Sequence, residues 1–128
     1  MREIKFRGKK IDGDWYYGDL ITETREFNRT CDKAYILPYW ETLNGPIFVD
    51  KESVGQYTGL KDKNGREIFE GDIYHMGDPR ITYTVVWHDT GLDGKQNGSS
   101  SYVGLSYWQD RIEVIDNVYE NKNLLEEK

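Results

Sequence analysis

Three carboxylates lie close together in the middle of the chain: Glu67, Glu70 and Asp72. Two carboxylic acids that face one cleft can act as general acid and general base in a hydrolysis. Gly71 stands between Glu70 and Asp72, and a glycine inside a strand pattern usually marks a bend that breaks the regular alternation of side chains. We therefore expect Asp72 to accept backbone N–H bonds at the bend, as aspartates commonly do in turns.

Other residues that could act as metal ligands or nucleophiles are few. The two histidines, His75 and His88, end strand-like segments and would meet only in a bent sheet. The single cysteine, Cys31, stands beside the acidic Asp32, which disfavours the nucleophilic thiolate. The sequence contains neither a G-x-S-x-G nucleophile elbow nor a phosphate-binding P-loop. We expect no catalytic residue, no metal site and no cofactor, and hence a protein that is not an enzyme.

The carboxylates belong to a segment with strong turn signals. Asn64-Gly65 can place two successive residues at positive φ, which predicts a type I′ hairpin turn. Apolar residues follow, Gly71 bends the strand, and an apolar stretch resumes after Asp72. We interpret Asn64, Gly65, Gly71 and Asp72 as a structural motif, and small bent barrels turn their corners with such devices.

The rest of the chain has the pattern of short strands separated by glycine-rich turns. Asp12-Gly13 predicts a hairpin turn. Strands are predicted over residues 2–7, 14–22, 34–39, 46–49, 80–88, 102–108 and 111–115, with loops over 24–32 and 89–101. Asn121 is predicted to cap one short C-terminal helix. The prediction is a single all-β domain over residues 1–128, a small, strongly bent barrel or sandwich of short strands.

The run Val54–Ile73, VGQYTGLKDKNGREIFEGDI, resembles the signature of the YopX-like proteins of phages and prophages. The segments Ile4–Lys9 and Trp15–Leu20 are similar to the N-terminal part of that family, and Val114–Asn121 is similar to its C-terminal part. The resemblance spans nearly the whole chain. It implies the family's fold and a phage origin, but no particular activity.

Composition limits the partners. A net charge of −6 opposes a general affinity for nucleic acid, which depends on neutralising phosphates. The N-terminal segment is locally basic, however, and Arg7, Trp15 and Tyr17 are the candidate residues for holding a single strand by charge and stacking. Ten tyrosines and four tryptophans exceed what a small core needs, so we expect a homo-oligomer.

The predicted cellular compartment depends on features that the sequence lacks. One cysteine permits no intrachain disulfide, no apolar run approaches the ~20 residues of a membrane span, and no secretory leader is visible. We predict a non-catalytic binding or assembly module in the cytoplasm of the bacterial host, with a host or phage protein as another possible partner. The alternatives are a nucleic-acid-binding accessory protein in phage replication or regulation, and a small hydrolase that uses the hairpin carboxylates.

Overall fold

The computed structural model of the chain describes residues 4–24, 31–38 and 45–120. Within these residues the fold is all-β, as predicted, with ten strands and one short 3₁₀ helix, Gln109–Arg111. The strands are β1 (Phe6–Lys9), β2 (Trp15–Thr24), β3 (Cys31–Pro38), β4 (Ile47–Lys61), β5 (Glu67–Phe69), β6 (Asp72–His75), β7 (Tyr83–His88), β8 (Gly91–Gln96), β9 (Tyr102–Val103) and β10 (Glu113–Asn117). The predicted C-terminal helix after Asn121 lies outside the described residues.

The chain divides into two compact units, one running up to Tyr57 and the other starting at Thr58. Each unit contains its own cluster of buried apolar side chains. The single domain over residues 1–128 stays a prediction.

The first unit is built around a ring of antiparallel strands. β1 pairs with β2, β2 with β3 and β3 with β4, and β4 pairs in turn with β1. Because successive side chains of a strand point to opposite faces, one face of each strand points into the ring. The buried and half-buried side chains that pack together there are Phe6, Tyr16, Leu20, Ala34, Ile36, Ile47, Val49 and Val54.

The ring closes at a corner within β4. This strand pairs with β3 through its first three residues and then with β1 from Asp50 to Gln56, with a register shift on the way. The Ser53 hydroxyl accepts the Lys9 N–H at 2.7 Å and donates to the Asp50 carbonyl at 2.6 Å. These bonds replace ladder hydrogen bonds that a bulge loses. The short strand predicted over residues 46–49 is therefore the start of one 15-residue strand.

The second unit contains an antiparallel sheet in the order β10-β6-β7-β8-β9. Its core lies against one face of this sheet and is formed by Ile68, Tyr74, Val85, Leu92, Leu105, Ile112 and Val114. The edge strand β9 is only two residues long, which is a common way to leave little exposed backbone at a sheet edge.

Two predictions for this unit are wrong. The segment 89–101, predicted as a loop, contains β8, which pairs with β7 over six consecutive residues. Its glycines and polar residues carry no strand signal, and the pairing with the apolar β7 determines its conformation. The strand predicted over 102–108 ends at Val103, because Leu105 turns into the core and the chain continues into a turn and the 3₁₀ helix.

The signature hairpin also differs from its prediction. Gly65 has φ of 84°, but Asn64 does not have positive φ, so the turn is not type I′. The Asp62 carbonyl accepts the Gly65 N–H at 3.0 Å, and the Asp62 N–H donates to the Arg66 carbonyl at 2.8 Å. This is the pattern of a three-residue loop in which a single glycine takes the left-handed conformation.

Candidate protein-binding surface

A row of large side chains crosses the outer face of the ring. Ile21 on β2 is paired with Tyr35 on β3, which is paired with Phe48 on β4. Partners in register lie on the same face, so the three side chains form one continuous row. Ile21 is 39% exposed and Phe48 is 48% exposed. The Tyr35 and Phe48 rings pack on each other with centroids 5.5 Å apart.

A groove of about 500 Å³ lies next to this row. It is lined by Lys10, Ile11, Asp12, Pro46, Ile47 and Phe48, so Phe48 belongs to both the row and the groove. Ile11, at the tip of the β1–β2 turn, is 85% exposed. The row and the groove together form a continuous apolar surface, which we call the Phe48 surface. Contiguous exposed apolar surface commonly marks an interaction site.

The charges beside the groove compensate each other. Lys10 Nζ lies 3.2 Å from Asp12 Oδ2, and the Asp14 N–H donates to Asp12 Oδ1 at 3.3 Å. The Asp14 N–H and the Lys10 ammonium together hold the pKa of Asp12 below its usual value. Asp12 in turn raises the pKa of Lys10. The edge of the Phe48 surface therefore carries a neutral ion pair, which repels neither an acidic nor a basic partner.

The predicted single-strand residues share a different part of the outer face. Arg7 is paired with Tyr17 and Lys9 with Trp15, which places all four side chains on one face. The Arg7 guanidinium carbon lies 5.1 Å from the centre of the Trp15 ring, and Lys9 Nζ lies 5.9 Å from it. Arg7 is only 6% exposed, although the alternation of β1 predicts a solvent-facing side chain. A buried guanidinium is poorly placed to meet a phosphate.

The hairpin carboxylates have structural contacts. Asp72 is fully buried, and its Oδ2 accepts the Phe69 N–H at 2.7 Å, the kind of contact expected at the bend. Gly71 has φ of 91°, and its N–H donates to the Val85 carbonyl at 2.8 Å. Glu70 is half-buried in the turn before it. The burial of Asp72 removes one of the two carboxylates that a hydrolytic pair would need at the surface.

A carboxylate that the sequence did not single out fastens the signature hairpin to β10. Asp62 Oδ1 accepts the N–H groups of Asn64 and Arg66, both at 2.9 Å, and Oδ2 accepts the Val114 N–H at 3.0 Å. Burial raises the pKa of Asp62, but the three N–H donors outweigh it, so the net pKa is lowered. The buried position of Asp62 and its bond to β10 required the tertiary structure.

The two histidines do not meet. β6 pairs with β7 through Ile73 with Thr84 and Tyr74 with Tyr83, which places His75 beside the start of β7. His88 ends that strand, about 20 Å away at roughly 3.3 Å per residue. In the part of the chain that the structure describes, no group of three or more His, Cys, Asp or Glu side chains converges to hold a metal ion. The same residues include no helix long and apolar enough to cross a membrane.

Comparison with known proteins identifies the family. A family profile described as YopX protein matches residues 5–126. The chain belongs to the YopX family. The crystal structure of protein EF1440 from Enterococcus faecalis matches with a TM-score of 0.59 and 21% identity, over 98% of this chain and 99% of that one. Identity this low shows a shared fold alone. A search of the curated proteins gives no match.

The YopX signature of this chain, Val54–Ile73, thus covers the end of β4, the hairpin, β5 and the start of β6. Both aspartates of the signature, Asp62 and Asp72, are buried, and both accept hydrogen bonds from backbone N–H groups. Through these contacts the signature binds its own backbone and, at Asp62, the backbone of β10.

Sequence reasoning missed the Phe48 surface. The signal was present: each of the three strands contains adjacent apolar residues, such as Leu20-Ile21 and Phe48-Val49. Neighbours in a strand point to opposite faces, so one of each pair must face away from the core. The sequence does not tell which one, nor that the outward residues align across three strands.

Proposed function

We propose that this YopX-family protein is a phage- or prophage-encoded, non-catalytic assembly module of the bacterial cytoplasm, and that its Phe48 surface binds a second copy of the same chain. The observation that carries the proposal is the row Ile21–Tyr35–Phe48, in register across three strands, with Ile21 and Phe48 exposed and Tyr35 half-buried between them. The phage origin and the compartment rest on the family resemblance and on the single cysteine.

The shape of the surface favours a second copy. Because β4 pairs with β1, the ring offers its side chains rather than a free strand edge for binding. The Phe48 surface carries a ridge and a groove side by side, and a two-fold axis brings the ridge of each copy to the groove of the other. The Lys10–Asp12 pair adds no net charge between copies that each carry −6 overall.

The area of the Phe48 surface limits the expected affinity between two copies of the chain. Stable interfaces bury about 800 Å² per partner, which is more than three partly exposed side chains and one groove supply. Partly buried apolar contacts must also offset the lost rotational and translational freedom of association. We therefore expect a dimer with a Kd on the order of micromolar, whose population depends on concentration.

Light scattering after size exclusion tests the proposal across about a hundredfold range of protein concentration. The mass is expected to rise from the monomer value of 15.1 kDa toward twice that value. Ile21→Lys places a charge in the row and is expected to hold the protein at the monomer mass. The matched control is Ile115→Lys, because Ile115 is also a strand isoleucine and is 41% exposed.

A monomer at every concentration would overturn the proposal, as would equal behaviour of the two lysine variants. The nucleic-acid alternative is checked with fluorescent single- and double-stranded oligonucleotides at physiological salt. Non-specific duplex binding no tighter than about 10⁻⁴ M agrees with the proposal, since the net charge repels phosphates. Submicromolar binding that Trp15→Ala abolishes would favour the nucleic-acid alternative instead.

A further inference from the structure

His88, at the end of β7 in the second unit, has close side-chain contacts on two sides. Its ring stacks on the ring of Tyr102 with a centroid distance of 3.8 Å and an interplanar angle of 7°. Its Nδ1 lies 3.2 Å from Oδ2 of Asp93, on the neighbouring strand β8. The imidazole thus stacks on an aromatic ring and contacts a carboxylate through Nδ1, while its side chain remains 37% exposed.

The Asp93 contact sets the tautomer of His88. A carboxylate only accepts hydrogen bonds, so Nδ1 must carry the proton and donate it. In the neutral ring, Nε2 then keeps its lone pair. Metal-binding histidines usually have this arrangement, in which the ring N–H away from the metal donates to a carboxylate that orients the ring.

The other histidine of the chain has the opposite arrangement. His75 Nδ1 accepts the N–H of Gly77 at 3.1 Å, so its lone pair is already used. Its Nε2 faces Glu113 at 3.6 Å, and Lys63 lies 3.3 Å from the same carboxylate oxygen. Of the two imidazoles, His88 alone presents a lone pair that is not engaged by a backbone donor.

Asp89 supplies a second ligand beside that lone pair. It is the one non-glycine residue in the described part of the chain with positive φ, at 56°. Aspartate adopts this left-handed conformation more readily than most residues, and here it forms the tight turn between β7 and β8. Its Oδ2 lies 3.9 Å from His88 Nε2, and its side chain is 82% exposed. We propose that His88 Nε2 and Asp89 Oδ2 bind a borderline divalent cation such as Zn²⁺, with Asp93 orienting the imidazole and Tyr102 holding its plane.

The geometry fits an open site. Zinc binds imidazole nitrogen and carboxylate oxygen at about 2.0–2.2 Å, so two tetrahedral ligands lie about 3.4 Å apart. The exposed Asp89 carboxylate reaches that separation by moving about half an ångström. Two protein ligands leave at least two positions for water or for a ligand from a partner. An imidazole donor favours zinc, nickel or copper over magnesium or calcium, which prefer oxygen ligands.

Calorimetric titration with ZnCl₂ near neutral pH tests the site on tag-free protein. Every variant carries Cys31→Ser, so that the single thiol cannot bind the metal. One saturable site is expected, and Mg²⁺ is expected to give no heat. His88→Gln should weaken binding about tenfold or more, and Asp93→Asn, which disturbs only the orienting bond, by about 10–100-fold. His75→Gln is the matched control and should leave the affinity unchanged.

Nuclear magnetic resonance gives a second readout that does not depend on affinity. The two histidine Cε1–H signals are assigned with the His75 and His88 variants, and only the His88 signal should shift with zinc. Absence of saturable binding would overturn the proposal. So would a His88→Gln variant that binds as well as its parent, or zinc effects on His75 rather than His88. Thermal melts of each variant confirm that the fold is intact, since His88 lies at an exposed strand end.

Discussion

Gly94→Ala should destabilise the protein by about 1–3 kcal/mol, the usual result of overpacking a core. Gly94 lies in β8, and Tyr74 lies in β6 with its ring buried against it. A Cβ atom at Gly94 would sit 1.8 Å from the Tyr74 hydroxyl oxygen and 2.9 Å from the ring carbon that bears it. Neither distance is tolerable, and the ring is also held by stacking on Tyr83 at 5.2 Å.

The Tyr74 hydroxyl explains most of the expected clash. It is fully buried, and it has no hydrogen-bond partner among the residues that the structure describes. Burial raises the pKa of this phenol, and the neighbouring Tyr83 and Asp93 raise it further, so the group stays neutral. A buried polar group without a partner destabilises by about 1–3 kcal/mol. Tyr74→Phe is therefore expected to be neutral or stabilising.

The two changes should be coupled. In the Tyr74→Phe background the hydroxyl oxygen is gone, so Gly94→Ala should destabilise by about 1 kcal/mol less than in the parent, a typical coupling for residues in contact. Gly91→Ala is the matched control in the same strand. A Cβ there meets nothing within 4 Å, so it should change the free energy of unfolding by no more than about 0.5 kcal/mol.

Urea denaturation followed by tryptophan fluorescence measures all four variants. The midpoints are comparable only if the denaturant dependence, the m-value, is the same in each variant. A loss above about 1.5 kcal/mol in Tyr74→Phe would refute the reasoning, because it would mean that the hydroxyl makes a hydrogen bond. Equal effects of Gly94→Ala with and without the hydroxyl would refute the assigned contact.

Two further predictions concern the signature hairpin and are read from the same denaturation curves. Gly71→Val should destabilise by about 1–3 kcal/mol because valine is strained at φ of 91°, and an unchanged free energy of unfolding would contradict it. Asp62→Asn should lower stability at neutral pH by about 1–3 kcal/mol, because an amide –NH₂ cannot accept the Val114 N–H. A lowered folded pKa stabilises the native state above the unfolded pKa of about 3.9 and ceases to do so as pH falls through the folded pKa. The parent should therefore lose more stability than Asp62→Asn on acidification below about pH 4, and parallel pH profiles would contradict this.

Local backbone chemistry was predictable where it depends on single residues. Asp12-Gly13 marks a real hairpin between β1 and β2, with Gly13 at φ of 108°. Gly71 has φ of 91° at the bend that a glycine inside a strand pattern predicts. At Asn64-Gly65 the turn was placed correctly but its type was wrong, because the side chain of Asp62 binds the N–H groups of the loop. The type of this turn depends on the hydrogen bonds of the Asp62 side chain, which the conformational preferences of Asn-Gly do not take into account.

The sequence by itself determined the fold class and the family, and it showed that histidines, cysteines and known catalytic motifs are few or absent. Strand alternation, frequent glycine turns and the Val54–Ile73 signature are local patterns that require no knowledge of contacts. Only the tertiary structure decided which apolar neighbour faces outward, because period-two alternation fixes two faces without saying which one is buried. It also decided that Ile21, Tyr35 and Phe48 align, since register depends on pairing between distant strands. The orientation of His88 by Asp93 has the same origin: it depends on a pairing between strands whose second member has no strand signal of its own.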